Sequence, residues 1–531
     1  MLDHQIEQAM LDWGAVLGND AVDFSAEPIA STLGSTKRVP LRLTPKDVTE
    51  VISIVEIAGK HKVPLYPIST GNNWGYGSKS PVIDGCVVVD LSKMDKVLAF
   101  DAQTGIVTLE PGVTQRKLNA YLQKKGCSFL IPVTGAGPDC SLIGNALERG
   151  YGITPYADHF AAVMSLEAVL PDGTLYTSML DGFGGGDVNN LFKWGVGPYV
   201  DGIFSQGNFG IVTKMTIALA PIPERMEAFF FSVKRDDKLE LAVEKVRKVL
   251  REVGTVTGSI NLMNKHRVLS MSEAYPWDAI GEDGLIPDAV LQKMMRRNQV
   301  MDWTGVGAIY GNKRVVAAVK KEIKKILSPV ASRLVFLTPG KVSFLAHLLG
   351  AIPVVRDAHI MNTVATLKKT MDLFAGEPSE IALPLAYWKS GEKPKEGDPM
   401  DPDRDGCGLI WYSPLIPMRP DVTREFVEMA SRICRAHKIE PLITLTSVSD
   451  RCWDSTVPIL FDKRNQAEIG RAHACYEELL DAGRKLGFVP YRLGIQSMGL
   501  LADESVQPKL LRKLKNAIDP DNIIAPGRYG L

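Results

Sequence analysis

Pro67-Ile68-Ser69-Thr70-Gly71-Asn72-Asn73-Trp74-Gly75-Tyr76-Gly77, the stretch PISTGNNWGYG, closes an apolar run that begins at Val63. Such a run opening into a loop of glycine, hydroxyl and amide residues predicts a buried strand that delivers its loop to a ligand. Glycines let the backbone approach a bound group closely, and consecutive amide N–H groups form a nest suited to a pyrophosphate. The loop is not G-x-x-x-x-G-K-[ST], and no G-x-G-x-x-G follows a strand elsewhere, so neither a P-loop nor a Rossmann unit is indicated. On spacing alone a plain surface turn stays open.

Upstream, Thr44-Pro45-Lys46-Asp47 predicts a helix start with Thr44 as N-cap. Val48, Val51, Ile52 and Val55 then repeat at helical spacing to about Lys60. Downstream, Cys86–Leu91 and Gly105–Leu109 read as strands, and Thr114 caps a second helix carrying Leu118, Tyr121 and Leu122. Strand and helix thus alternate over the first 220 residues or so, an α+β layered arrangement. After Pro221-Ile222-Pro223-Glu224 charged helical patterns take over, as in Asp237–Val253 and Arg314–Leu327, with short strands such as Arg333–Leu337. A domain boundary is expected near residue 224. The polar segment Lys389–Gly406 reads as an exposed loop between Leu383–Trp388 and a strand over Leu409–Ser413.

Two more glycine-rich loops share the first part of the chain. Pro132–Tyr156, PVTGAGPDCSLIGNALERGYGITPY, holds small residues, Ser141 and the pair Glu148-Arg149, a set that fits against a flat ring with polar edges. Gly207–Lys214, GNFGIVTK, offers backbone to a ring edge. Three such loops exceed what turns alone require.

Composition narrows the class. The 531 residues allow two to four domains at roughly 100–200 residues each. Lys+Arg and Asp+Glu both number 61, a balance that argues against nucleic acid as a partner. The seven cysteines form no C-x-x-C pair and the eight histidines no paired spacing, so no metal site is expected. Met1–Trp13 carries Asp3, Glu7 and Asp12 and does not read as a signal peptide, which predicts a cytoplasmic protein. Phe344–Val355 is the most apolar stretch and is too short to span a bilayer, so no membrane insertion is expected.

PISTGNNWGYG, Glu110–Thr114 (EPGVT), GNALERGYGITPYADHF, GPYVDGIFSQGNFGIVTK and Ile523–Gly530 (IIAPGRYG) together resemble the vanillyl-alcohol oxidase and p-cresol methylhydroxylase flavoprotein family, in order and at similar spacing along nearly the whole chain. The resemblance implies a two-lobed FAD-binding domain over residues 1–224, an α+β cap over 225–490 and a C-terminal return over 491–531. It assigns to FAD Pro67, Ser69, Thr70, Gly71, Asn72, Asn73 and Gly75 of the first loop. From the second it assigns Ser141, Gly144, Asn145, Glu148, Arg149, Gly150 and Gly152, then Gly210, Ile211 and Val212 of the third, and Arg528.

The family oxidises para-substituted phenols, held as phenolates by two tyrosines and an arginine while hydride leaves the benzylic carbon for flavin N5. Tyr76, Tyr491 and Arg492 match that motif, and Asp139, Asp450 and Asp454 are further candidates for catalysis. The aspartate that the oxidase branch carries before GNA-x-E-R-G falls on Ala136, with Asp139 three residues later. The oxidase branch's flavin-linking histidine falls on Gly408 or Leu409, whereas Tyr387 fits the methylhydroxylase branch's tyrosine, implying a covalent FAD link there. Tyr387-Trp388 as a plain strand of aromatic core remains the other reading. The expected activity is hydroxylation of 4-alkylphenols through a quinone methide, with electrons passed to a c-type cytochrome subunit and the flavoprotein assembled as a homo-oligomer. A cytochrome partner would place the protein in the periplasm. An oxidase using O2 and a nucleotide-binding protein without turnover are the alternatives.

Overall fold

A computed structural model describes residues 2–23, 28–351, 358–395, 397–501 and 505–531. Glu396 of the polar loop and residues 352–355 of the apolar stretch lie outside the described residues. The architecture mixes helices with several sheets, as the α+β reading expects. No described helix is long and apolar enough to cross a membrane.

The apolar run before the first glycine loop is the strand Leu65–Ile68, in parallel register with Val87–Asp90, which pairs in turn with Arg42–Leu43. The helix Val48–His61 packs Val51, Ile54, Val55 and Ala58 onto this sheet. It starts three residues later than expected, a correction to the Thr44 cap. The Thr44 amide donates to the Ala21 carbonyl at 2.9 Å, just beyond the strand Arg42–Leu43, which keeps Thr44 out of the helix. Asp47 caps instead, accepting from the Glu50 amide at 3.0 Å. Thr114 does cap the helix Gln115–Lys125.

The chain returns to this sheet from far away. The Leu65 amide donates to Ile523 O at 2.8 Å, and the Ala525 amide to Leu65 O at 2.7 Å. A buried Lys515–Asp519 pair shapes the return: Lys515 Nζ donates to Asn208 O and Ile524 O, while Asp519 accepts from the amides of Ile523 and Ile524.

A five-stranded antiparallel sheet, ordered Leu175–Thr177, Val163–Val169, Ile211–Ala218, Ile106–Leu109 and Val97–Asp101, forms the second layer. The helices Gln115–Lys125 and Leu142–Leu147 bury Leu118, Leu122, Leu142 and Ile143 in the same core as Val107 and Met215.

Residues 225–490 supply all strands of a nine-stranded sheet. Its helices are strongly amphipathic; Leu239–Val253 buries Leu239, Ala242, Val243, Val246 and Val249 at helical spacing. Two rows across this sheet matter below. Val306, Asn261, Thr446 and Asp454 are successive partners on four strands, and so are Thr304, Met263, Thr444 and Thr456. Leu383–Trp388 is not a strand: Leu383–Leu385 forms a 3-10 turn with Pro384 in it, and Tyr387 and Trp388 continue the turn. Proline fixes its φ at about −65° and has no amide for a strand ladder, which suits Pro384 to the turn.

Candidate active site

A cavity of about 540 Å³ lies where the glycine loops meet the nine-stranded sheet. Pro67, Ser69, Thr70, Gly71, Asn72 and Asn73 line it from the first loop, and Ser141, Gly144, Asn145, Glu148 and Gly150 from the second. Among the described residues, the amides of Gly71, Asn72 and Asn73 donate to nothing within the chain. They are the open nest that the loop composition predicts. The two loops are stitched together. Ser141 caps its helix by accepting from the Gly144 amide at 2.9 Å, and its own amide donates to Thr70 Oγ1 at 3.1 Å. A Cβ at Gly144 would meet Ser69 Oγ at 2.5 Å, so glycine there lets the two loops approach without displacing the serine hydroxyl.

Further along the cavity, charged and phenolic groups converge. The Arg492 guanidinium stacks on the Tyr76 ring at 4.4 Å, donates to Asn73 Oδ1 at 2.5 Å and lies 3.3 Å from Glu148. Glu148 also pairs with Arg528 and accepts from the Tyr529 hydroxyl at 3.2 Å. Tyr76 shares a hydrogen bond with Ser413 at 2.7 Å, and Tyr491 meets Tyr151 edge to face at 5.5 Å. Burial pushes the Tyr76 phenol up to about 12 and that of Tyr491 well above the ordinary tyrosine range, against the pull of Arg492. Both therefore stay protonated near neutrality and carry an O–H that can donate. Asp454 is fully buried beside them; burial holds its carboxyl well above the usual range, and its Oδ1 has no partner.

Comparison with known proteins gives this arrangement its context. Residues 40–178 match the family described as FAD binding domain. A 1'-carboxy-chondrochloren decarboxylase from Chondromyces crocatus is 37% identical, over 99% of this chain and 97% of its own length. The flavoprotein subunit of 4-cresol dehydrogenase [hydroxylating] from Pseudomonas putida is 29% identical over 99% and 96%. A crystal structure of p-cresol methylhydroxylase with substrate bound superposes with a TM-score of 0.87 at 26% identity, covering 99% of this chain and 97% of that one. The chain belongs to the vanillyl-alcohol oxidase and p-cresol methylhydroxylase flavoprotein family.

FAD is the cofactor of this flavoprotein. The open amide nest, the hydroxyl and amide side chains beside it and the close approach of the loops at Gly144 fit such a dinucleotide. Not every expected residue faces the cavity. Gly75 lies behind it, at φ +77°, and a Cβ there would meet Trp411 Cδ1 at 2.2 Å. Arg149 turns its guanidinium to Ser205 at 3.0 Å, and Gly152 packs against His159. Gly210 and Val212 line the cavity while Ile211 points into the core on the other side, as the pleat dictates. Arg528 lines it and donates to the Tyr66 hydroxyl at 3.1 Å.

Three expected residues stand off the cavity lining. Asp139 holds Arg116 at 2.8 and 2.9 Å with nearly half its side chain in solvent; Ala136 lines the cavity and Asp139 does not. Asp450 sits at a loop end opposite Arg451, off the cavity. Tyr387 also lies off the lining, and its hydroxyl donates to Asp405 at 2.5 Å. The turn at Pro384 sends it toward the polar loop. Acid precipitation of the assembled protein should therefore leave yellow FAD in the supernatant. A yellow pellet that Tyr387→Phe turned colourless would reinstate the tyrosyl link.

The sequence reading missed the sheet face opposite the loops: Asn261, Met263, Thr444, Thr446 and Thr456, joined by Arg267, Trp411 and Tyr151. The alternation in Thr444-Leu445-Thr446, polar toward the cavity and apolar toward the core, was the one available signal.

Proposed function

We propose that this flavoprotein oxidises para-substituted phenols at the benzylic carbon. The observation that supports it is Arg492, nearly buried and stacked on Tyr76 beside Tyr491. A phenol placed among them meets a permanent cation and two neutral O–H donors, all of which favour its ionised form. As phenolate it pushes electrons toward the para carbon, and the benzylic C–H bond becomes a hydride donor. Bound FAD supplies the two-electron acceptor. The oxidised substrate, a quinone methide, then takes up water or loses a proton. The 37% identical relative is named for removing a carboxyl group, so the fate of the oxidised side chain depends on what that side chain carries.

Electrons leave through a c-type cytochrome in this reading. The chain has no C-x-x-C-H of its own, and the Pseudomonas putida relative is named as one subunit of its enzyme. Anaerobic 4-ethylphenol should bleach the flavin band, and 4-ethylanisole, which has no ionisable hydroxyl, should leave it intact. Equal bleaching by both would refute phenolate activation. Rapid peroxide formation in air would assign the electrons to O2 instead of a cytochrome.

A further inference from the structure

One buried cation in the cavity has no role in the phenol clamp. Arg267 lies on the short helix Lys265–Ser272, directly after the strand Asn261–Asn264. Only 9% of it is exposed, it lines the cavity, and its Nε and Nη1 find no acceptor. Among the described residues no carboxylate pairs with it; its neighbour His266, turned elsewhere, faces Glu440 at 3.7 Å. Burial alone acts on the guanidinium, lowering it to about 10. It still carries its charge near neutrality.

The surroundings repeat the same lack of partners. Asn261 Oδ1 and Thr444 Oγ1, both on the cavity-facing rows of the sheet, are buried without a hydrogen bond. Arg267 is firmly placed. Asn264 Oδ1 accepts from the Arg267 amide at 3.0 Å and from the Ile443 amide at 3.2 Å, while its Nδ2 donates to Pro441 O at 2.7 Å. This ties the start of the helix to the strand that carries Thr444. Asp454, beside the clamp, and Asn261 belong to one row and stand two strands apart, about 10 Å. That is of the order of a phenol ring with a short chain.

A buried guanidinium without a counter-charge is costly, and buried polar groups left over in a ligand cavity mark where the ligand's own polar atoms go. Water can satisfy N–H groups but brings no charge. A carboxylate does both, matching the planar fork with two parallel hydrogen bonds. We propose that Arg267, with the Thr444 hydroxyl as a further donor, receives a carboxylate on the para side chain, so that the substrates of this flavoprotein are phenols bearing an acid chain. This rests on the phenol reading above and adds the substrate class to it.

The test compares 3-(4-hydroxyphenyl)propanoate with 4-propylphenol on the FAD-loaded protein without oxygen. Affinity is read from the concentration dependence of flavin bleaching and from ligand-induced shifts in melting temperature. The acid should bind at least tenfold more tightly than the neutral phenol. Arg267→Gln should erase that advantage, and Arg267→Lys should keep part of it. Equal affinities in the wild type, which require no variant to fold, would overturn the carboxylate site while leaving the phenol reading intact. An acid preference that survived Arg267→Gln would also overturn it, as would loss of FAD from that variant, which would make Arg267 a cofactor ligand. Silence from both phenols would defeat the phenol reading and this inference with it.

Discussion

Arg492→Met is expected to slow flavin reduction by 4-ethylphenol roughly ten- to a hundredfold, the worth of one charge-assisted hydrogen bond in the activated complex. Methionine keeps much of the stacking on Tyr76 and removes only the charge. What is lost is the force that ionises the bound phenol at neutral pH. The variant's rate should therefore climb with pH, tenfold per unit, until the substrate ionises unaided near about 10. Wild-type protein should reach its plateau at lower pH. Stopped-flow bleaching from pH 6 to 10 reads both effects, and a variant that matched the wild type throughout would remove Arg492 from the clamp.

Glu148→Gln should have the largest effect on stability. Glu148 is largely buried between two arginines, Arg492 and Arg528, and also accepts from Tyr529. Removing its charge leaves two guanidinium groups uncompensated, and breaking a buried pair costs about 3–5 kcal/mol. Asp139→Asn removes a surface partner of Arg116 and should cost at most about 1 kcal/mol. Parallel melting curves, with FAD added to both, give the comparison. Similar losses in the two variants would show that Glu148 is not the keystone of this cluster.

The readable parts of the site are those where chemistry is written into contiguous backbone. The loop from Ser69 to Asn73 needs glycine to bend and amides to bind, and both needs leave marks in the residue types. Tyr491-Arg492 was legible through the family resemblance, whose motif this adjacent pair matches. Direction was not legible. Asp139 follows a proline turn that carries it outward, and Tyr387 follows another that carries it to Asp405. Ile211 sits between two lining residues and faces away from them. Arg267 was invisible for a related reason. Within KHRVLSMS it looks like one more charge on a solvated helix face, and only the packing of that helix shows that this face is turned inward. The start of the helix at Val48 follows from the local Asp47-x-x-Glu50 cap, while the Ala21 carbonyl holds Thr44 outside it.

The return segment around Ile524, bridged to Leu65, also sets a schedule. Tyr66 and Arg528 touch across the cavity wall, yet they are 462 residues apart along the chain. At about 5–20 residues per second, a ribosome needs on the order of a minute to travel between them. Until then Leu65 lacks its edge partner and Glu148 lacks Arg528. A growing chain thus carries a half-made cradle through most of its synthesis, and capture of the flavin becomes one of the last events in making the protein.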